Sequence, residues 1–467
     1  VSLELHPDRL LPADPTVRDI ARELYASVAG LPIISPHGHV PAQWIAEDTA
    51  FRDPTSLLIT PDHYLTRLLH ASGVDLAELG VGTELTPEGS RRAFRLLCEH
   101  WRVFRGTPMR YWFESQLVEV FGAYLEPSAT SADALYDRIS SWIGQPTSRP
   151  RALMREFGIE FLATTDDPCE DLAHHRAIAR DDGFAPRVVP TFRPDTYLEP
   201  ARPTWVAAVD RLAAVSGTDT GDYAGWVTAM EDRRAYFREH GAVSTDHSHR
   251  DLGTERLPDR EAEQLYAAAR AGRISAADGD RLRRHMVDEM ARMATEDGLT
   301  MTLHPAVHRN HHGPTSDRFG ADVGADIPLG VEVTQALSPL LNRYGTHPNL
   351  TLVVFTIDET VYSRELAPLA GFYPSLRIGV PWWFLDAPDA IRRFRAAVTE
   401  SAGFTRTSGF IDDTRAFLSI PARHDMSRRL DCAHLAELVA QHRLGIDEAA
   451  ETARYLVTDQ PRDVFGI

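Results

Sequence analysis

Two hydrophobic rhythms alternate along this chain. Short β-rich runs that end on polar or ionisable residues recur at 33–39 (IISPHGH), 160–168 (EFLATTDDP), 187–195 (RVVPTFRPD) and 242–249 (AVSTDHSH). They continue at 299–305 (LTMTLHP), 350–358 (LTLVVFTID), 376–384 (LRIGVPWWF) and 409–415 (GFIDDTR). Between them lie stretches with apolar residues at helical spacing, such as AIRRFRAAVTESAG at 390–403. Strands alternating with helices predict parallel βαβ units. About eight such runs is the number that a (β/α)8 barrel requires. The expected fold class is therefore α/β, a TIM barrel.

The first two runs are about 120 residues apart, far more than one crossover helix needs. ITPDHYLTRLLHASGVD (59–75) and EGSRRAFRLLCEHWRVF (88–104) within that gap both carry the helical pattern. The expectation is a barrel built from 1–44 and 151–467, with a mainly helical subdomain, 45–150, inserted after the first strand as a lid over the mouth.

Polar residues at the C-terminal ends of barrel strands mark where such folds keep their active sites. The runs place His37, His39, Asp166, Arg193, His247, His304, Trp382 and Asp413 near one mouth. In a strand, residues i and i+2 share a face, so His37 and His39 can grip one divalent ion, and imidazole suits zinc and other first-row metals. The competing reading is a polar strand end. Asp413 favours the metal, because it can complete the site from the last strand, with His247 and His304 each positioned to offer a further ligand. Arg193 and Arg415 follow strand ends, and Arg309 lies just past His304. Arginine's planar fork matches a carboxylate, so these point to an anionic substrate. Asp62-His63-Tyr64 with Arg67 opens a lid helix, where a helix start is an adequate account of the pattern. Trp382 and Trp383 read as core or as a platform for a sugar.

Composition narrows the chemistry. None of the 49 basic residues is a lysine. That excludes Schiff-base, pyridoxal-phosphate and P-loop lysines, and a carbamylated lysine bridging two metals. A formal charge of −18 disfavours nucleic acid and anionic membranes as partners. No apolar run approaches the ~18 residues of a membrane span, and the N-terminal VSLELHPDRLLPADP lacks the pattern of a signal peptide. The expected location is the cytoplasm. Three scattered cysteines argue against a disulfide framework or a cysteine metal site.

Taken in order, the motifs resemble those of the uronate (glucuronate) isomerases, a branch of the amidohydrolase superfamily. They are PHGH (36–39), DHYLTR (62–67), TPMRYW (107–112), TTDDP (164–168), PTFRPD (190–195), TDH (245–247), LH (303–304), RN (309–310), DVGAD (322–326), PWWFLD (381–386) and DDTRAFLSIPARHDMSRR (412–429). The resemblance implies a single divalent metal on His37, His39 and Asp413; zinc is the expected ion from the imidazole ligands, and His247 stays a further candidate from its strand-end position. The resemblance also implies that Tyr64, Arg193 and Arg415 contact substrate or assist catalysis. Asp413 and His63 join the catalytic candidates, and Arg309, Trp382, Trp383, His304 and Asp62 the substrate-binding ones. The implied reaction interconverts D-glucuronate with D-fructuronate, and D-galacturonate with D-tagaturonate, by proton transfer through an enediol. The chain departs from the family's usual D-Y-H-C-H at Ser35-Pro36-His37-Gly38-His39, and carries Glu114 where the family has a histidine. This divergence leaves two other readings, a metal-dependent hydrolase or isomerase of another sugar acid or lactone, and a sugar-acid binding protein without catalysis. A homo-oligomer is compatible with all of them.

Overall fold

The computed structural model describes residues 2–467. Seven strands run parallel: β1 (Ile33–Ser35), β2 (Ile159–Ala163), β3 (Arg187–Val189), β4 (Ser244–His247), β5 (Thr300–Leu303), β6 (Leu352–Val354) and β7 (Leu376–Ile378). Pairing follows chain order from β1 to β3 and from β4 to β7. Phe192, just past β3, joins the two arcs. Its N–H donates to Ser244 O at 3.2 Å, and Asp246 N–H donates to Phe192 O at 2.9 Å.

The eighth stave is the segment 408–414. Ser408 N–H donates to Ile378 O at 3.1 Å, and His39 N–H donates to Thr414 O at 3.0 Å, which closes the ring. The sequence reading expects a regular strand here. The structure shows no regular strand; Gly409 (φ 75°) and Asp413 (φ 39°) both adopt left-handed conformations, which interrupt a pleat.

The strands are short and buried on both faces, as parallel strands covered by helices are. Leu352, Val353 and Val354 are all fully enclosed. From β1 to β2 the chain forms helices, among them His63–Ala71, Pro87–Glu99, Pro108–Ser115 and Ala132–Ile143. Their apolar faces do not make a separate core. Phe94, Trp112 and Ile139 pack in one cluster with Ile33, Leu162 and Ile420, so this segment and the barrel wall bury the same surface. A feature absent from the sequence reading follows β5. Val307–His308 and Ile327–Pro328 pair as a short antiparallel hairpin, and the loop between them reaches over the mouth. Among the described residues, no helix is long and apolar enough to cross a membrane.

Candidate active site

The C-terminal strand ends surround a cavity of about 250 Å³. At its floor the carboxylate of Asp413 lies between two imidazoles. Its Oδ1 is 3.4 Å from His37 Nε2 and 3.1 Å from His39 Nε2, and its Oδ2 is 3.9 Å from His304 Nε2. The i, i+2 spacing of His37 and His39 thus delivers both rings to one carboxylate. His304 donates from Nδ1 to Asp246 Oδ1 at 2.6 Å, which fixes its tautomer and turns the Nε2 lone pair inward.

Buried polar groups normally find partners. Here His304 Nε2, Asp413 Oδ1 and Asp246 Oδ2 are buried without a hydrogen bond. His37, His304 and Asp413 also offer donor atoms within 4.8 Å of one another. Ligands about 2 Å from a zinc-like ion sit about 3.3 Å apart, close to the spacings observed. The donor set is nitrogen and oxygen with no sulfur, and it fits a divalent first-row metal.

Electrostatics sharpen the floor. Burial would raise the Asp413 carboxyl, but His37 and His39 outweigh it and hold it well below the usual range. Burial acts the same way on Asp246, and His304, Arg193 and His37 reverse it. For His37, burial favours the neutral ring, and Asp246 and Asp413 more than compensate, so its pKa rises.

Three arginines ring the cavity. Arg193 reaches Asp195 Oδ2 at 3.0 Å through Nε and Asp246 Oδ2 at 3.3 Å through Nη1. Arg309 binds Asp326 at 3.1 Å and the Ser248 hydroxyl at 2.9 Å, and its guanidinium lies 5.4 Å from the Trp383 ring centre. Arg415 meets Asp322 Oδ2 at 2.9 Å.

Helix His63–Ala71 supplies the roof. Asp62 caps it by accepting from Tyr64 N–H at 2.9 Å, so its carboxylate lines the cavity but is occupied by the helix. His63 stacks between Tyr64 at 5.2 Å and Trp383 at 4.9 Å. Burial first, then Arg415, pushes its pKa down to about 3, so the ring is neutral. Burial holds the Tyr64 phenol far above its usual value, so it stays protonated. Trp382 packs edge-on against His304 at 4.7 Å.

The profile of the glucuronate isomerase family matches residues 15–460. The chain belongs to the uronate isomerase family. It is 60% identical over 467 residues to the uronate isomerase of Cutibacterium acnes, covering 100% of this chain and 99% of that protein. The crystal structure of glucuronate isomerase from Caulobacter crescentus superposes with a TM-score of 0.97 at 44% identity, covering 100% of this chain and 98% of the other. Uronate isomerase from Thermotoga maritima gives 0.92 at 25% identity over 99% of each chain. Of the three functional readings the sequence left open, isomerase stands.

Within this isomerase the structure places one expected ligand, His247, apart from the other three. His247 does not face the cavity. It follows Asp246 in β4, and successive strand residues point to opposite faces. Asp246 turns inward, and His247 joins Asp195 and His249 behind the wall. The residues the sequence reading missed are the acids that hold the arginines, Asp195, Asp246, Asp322 and Asp326, together with Ser248. The T-D-H triplet flagged the right strand, but its histidine drew attention from the aspartate beside it.

Proposed function

We propose that this isomerase interconverts D-glucuronate with D-fructuronate, and D-galacturonate with D-tagaturonate, at the mouth of the barrel. The observation that carries the reading is one carboxylate, Asp413, set between His37 and His39 beneath an arc of three arginines. We take His37, His39 and Asp413 as the metal ligands, with His304 alongside and zinc as the ion. When bound, the ion supplies a Lewis acid for a sugar oxygen or an anchor for the carboxylate.

The chain's own groups account for the proton movements. Aldose and ketose share a 1,2-enediol. Forming it requires removal of the C2 proton and delivery of a proton to O1; collapse to the ketose requires protonation of C1 and loss of the O2 proton. Asp413 is a carboxylate at neutral pH and is the candidate to carry the proton between carbons. Tyr64 keeps its proton, so it is placed to donate to a sugar oxygen as charge develops. Neutral His63 and the Trp382 and Trp383 rings wall the ring-opened sugar against water. Arg415 holds the far carboxylate, with Arg193 and Arg309 beside it as fixed positive charge, so that C1 and C2 lie over the floor. Residues 45–150 act as a helical lid, since Asp62, His63 and Tyr64 reach the cavity from that segment. A cytoplasmic location belongs to the same reading.

The test is proton NMR of the metal-assayed protein with each uronate in D2O. Ketose signals with solvent deuterium on the sugar support the enediol route. Ketose formed without deuterium fits a proton carried by Asp413 within the closed site or a hydride shift, and loss of turnover in Asp413→Asn separates the first from the second; no ketose from either sugar removes both from the substrate assignment.

A further inference from the structure

An anionic sugar acid must find a guanidinium able to take its carboxylate, yet each of the three cavity arginines already has a carboxylate partner. Two of those pairs are built in. Arg193 shares Asp246, which is 1% exposed, and Asp195, whose oxygens also accept from Ser248 N–H at 3.1 Å. Arg309 is held by Asp326, 2% exposed, which also accepts from Asn310 N–H at 2.7 Å and so fastens the neck of the loop after β5. Breaking either pair strands a buried carboxylate, which costs far more than an exposed contact is worth.

The third pair is different. Asp322 is 47% exposed and Arg415 34% exposed. Among the described residues, Arg415 is the sole cation within ion-pair distance of Asp322. Asp322 adopts φ 64°, a left-handed conformation that aspartate tolerates and most side chains avoid. Its neighbours are anchored elsewhere. Val323 packs with Leu76 and Val81, and Arg318 pairs with Asp75 at 3.0 Å, so this part of the loop leans on the helical insertion while Asp322 projects into the cavity.

We infer that Asp322 is a specificity residue, a resident carboxylate that occupies Arg415 until a sugar acid displaces it. This deepens the proposed function and rests on its assignment of Arg415 to the substrate carboxylate. The exchange trades one carboxylate for another on the same guanidinium, and the released Asp322 is already at the solvent edge. A neutral sugar brings no charge to the exchange and leaves the pair intact. Asp322 therefore weakens the apparent affinity for uronates somewhat, while reserving Arg415 for acids.

The experiment is steady-state kinetics of the metal-loaded enzyme and its Asp322→Asn, Asp322→Glu, Arg415→Met and doubly substituted (Asp322→Asn with Arg415→Met) forms. An exposed pair is worth little, so Asp322→Asn should lower the KM for D-glucuronate about two- to five-fold. Asp322→Glu keeps the competing charge and should stay near the parent KM. Inhibition by neutral D-glucose should be indifferent to Asp322→Asn. Arg415→Met should raise KM, and adding Asp322→Asn to it should change nothing further. If Arg415→Met raises KM while Asp322→Asn leaves it unchanged or raises it, the inference is overturned and the arginine assignment survives. If Arg415→Met leaves KM unaltered, the assignment itself falls and takes the inference with it.

Discussion

Two clusters of histidine and aspartate lie back to back across the wall at β4. The inner one joins Asp246, His304, His37 and Asp413; the outer one joins His247, His249 and Asp195. The residue types are the same and both clusters are buried. Their neighbours are not the same. The inner cluster opens on the cavity, with its lone pairs converging. In the outer cluster Asp195 is neutralised by Arg193 at 3.0 Å, and His249 Nδ1 is paired with Glu199 at 2.7 Å. His247 Nδ1 and His249 Nε2 do lack partners. Asp195, His247 and His249 nevertheless do not line the cavity. We read the outer cluster as support for Arg193, which links the two by binding Asp195 on one side and Asp246 on the other. Residue types alone do not make a metal site. Access to the cavity decides, because Arg193 stands beside both clusters and the inner donors alone line the cavity.

The contrast is broken most directly at Asp413. Asp413→Asn keeps the shape of the side chain and removes the charge between His37 and His39. Turnover should fall by about a thousand-fold, within the range for losing a general base. Near-normal turnover would remove Asp413 from the proton path. The next largest effect belongs to Asp246→Asn. It loosens the tautomer lock on His304 and one anchor of Arg193. We expect metal affinity or kcat/KM to fall about 10- to 100-fold, as for other groups that orient ligands. An unchanged metal content together with unchanged kinetics would reduce Asp246 to a wall residue.

His247→Gln addresses the outer face. If that cluster is only a support, the isolated protein should carry the same metal per chain as the parent, with kcat/KM within about five-fold, because the changed side chain lies behind Arg193. Loss of metal in this variant would merge the two clusters into one centre and reverse the orientation assigned to β4.

How much of this was readable beforehand depends on the distance over which each feature is encoded. The barrel was legible because every stave repeats one local pattern, an apolar run that ends polar. His37 and His39 were legible because i, i+2 spacing is enough to put two rings on one face. Asp246 was not, since nothing local in Thr245-Asp246-His247 says which of two adjacent polar residues points inward. That phase is set by the pairing of β4 with β5, where Asp246 lies opposite Thr302. The counter-ions of the arginines were hidden for the same reason. Asp246 comes to Arg193, and Asp322 to Arg415, only through the closed ring. The loop carrying Asp322 has no periodicity to read, and its hairpin is held by two residues on each side.

The smallest expected effect separates the clusters by protonation. Burial pushes the His247 pKa down to about 3, against an ordinary value of 6.5. Its neutral ring is therefore favoured in the fold, while the unfolded chain binds a proton near pH 6.5. That contribution to stability is fully present above pH 6.5 and is lost progressively as the pH falls toward 3. Buried His285 and His434, each pushed to about 4 by burial, add the same trend from sites remote from the cavity. Each such group steepens the acid limb by up to about 1.4 kcal/mol per pH unit while only the unfolded state is protonated. In His247→Gln this slope between pH 6 and 4 should be shallower by about one proton, measured as the pH dependence of the denaturant midpoint. A parallel curve would mean that His247 carries a proton in the folded state. The outer cluster would then be charged, contrary to the neutral support argued above.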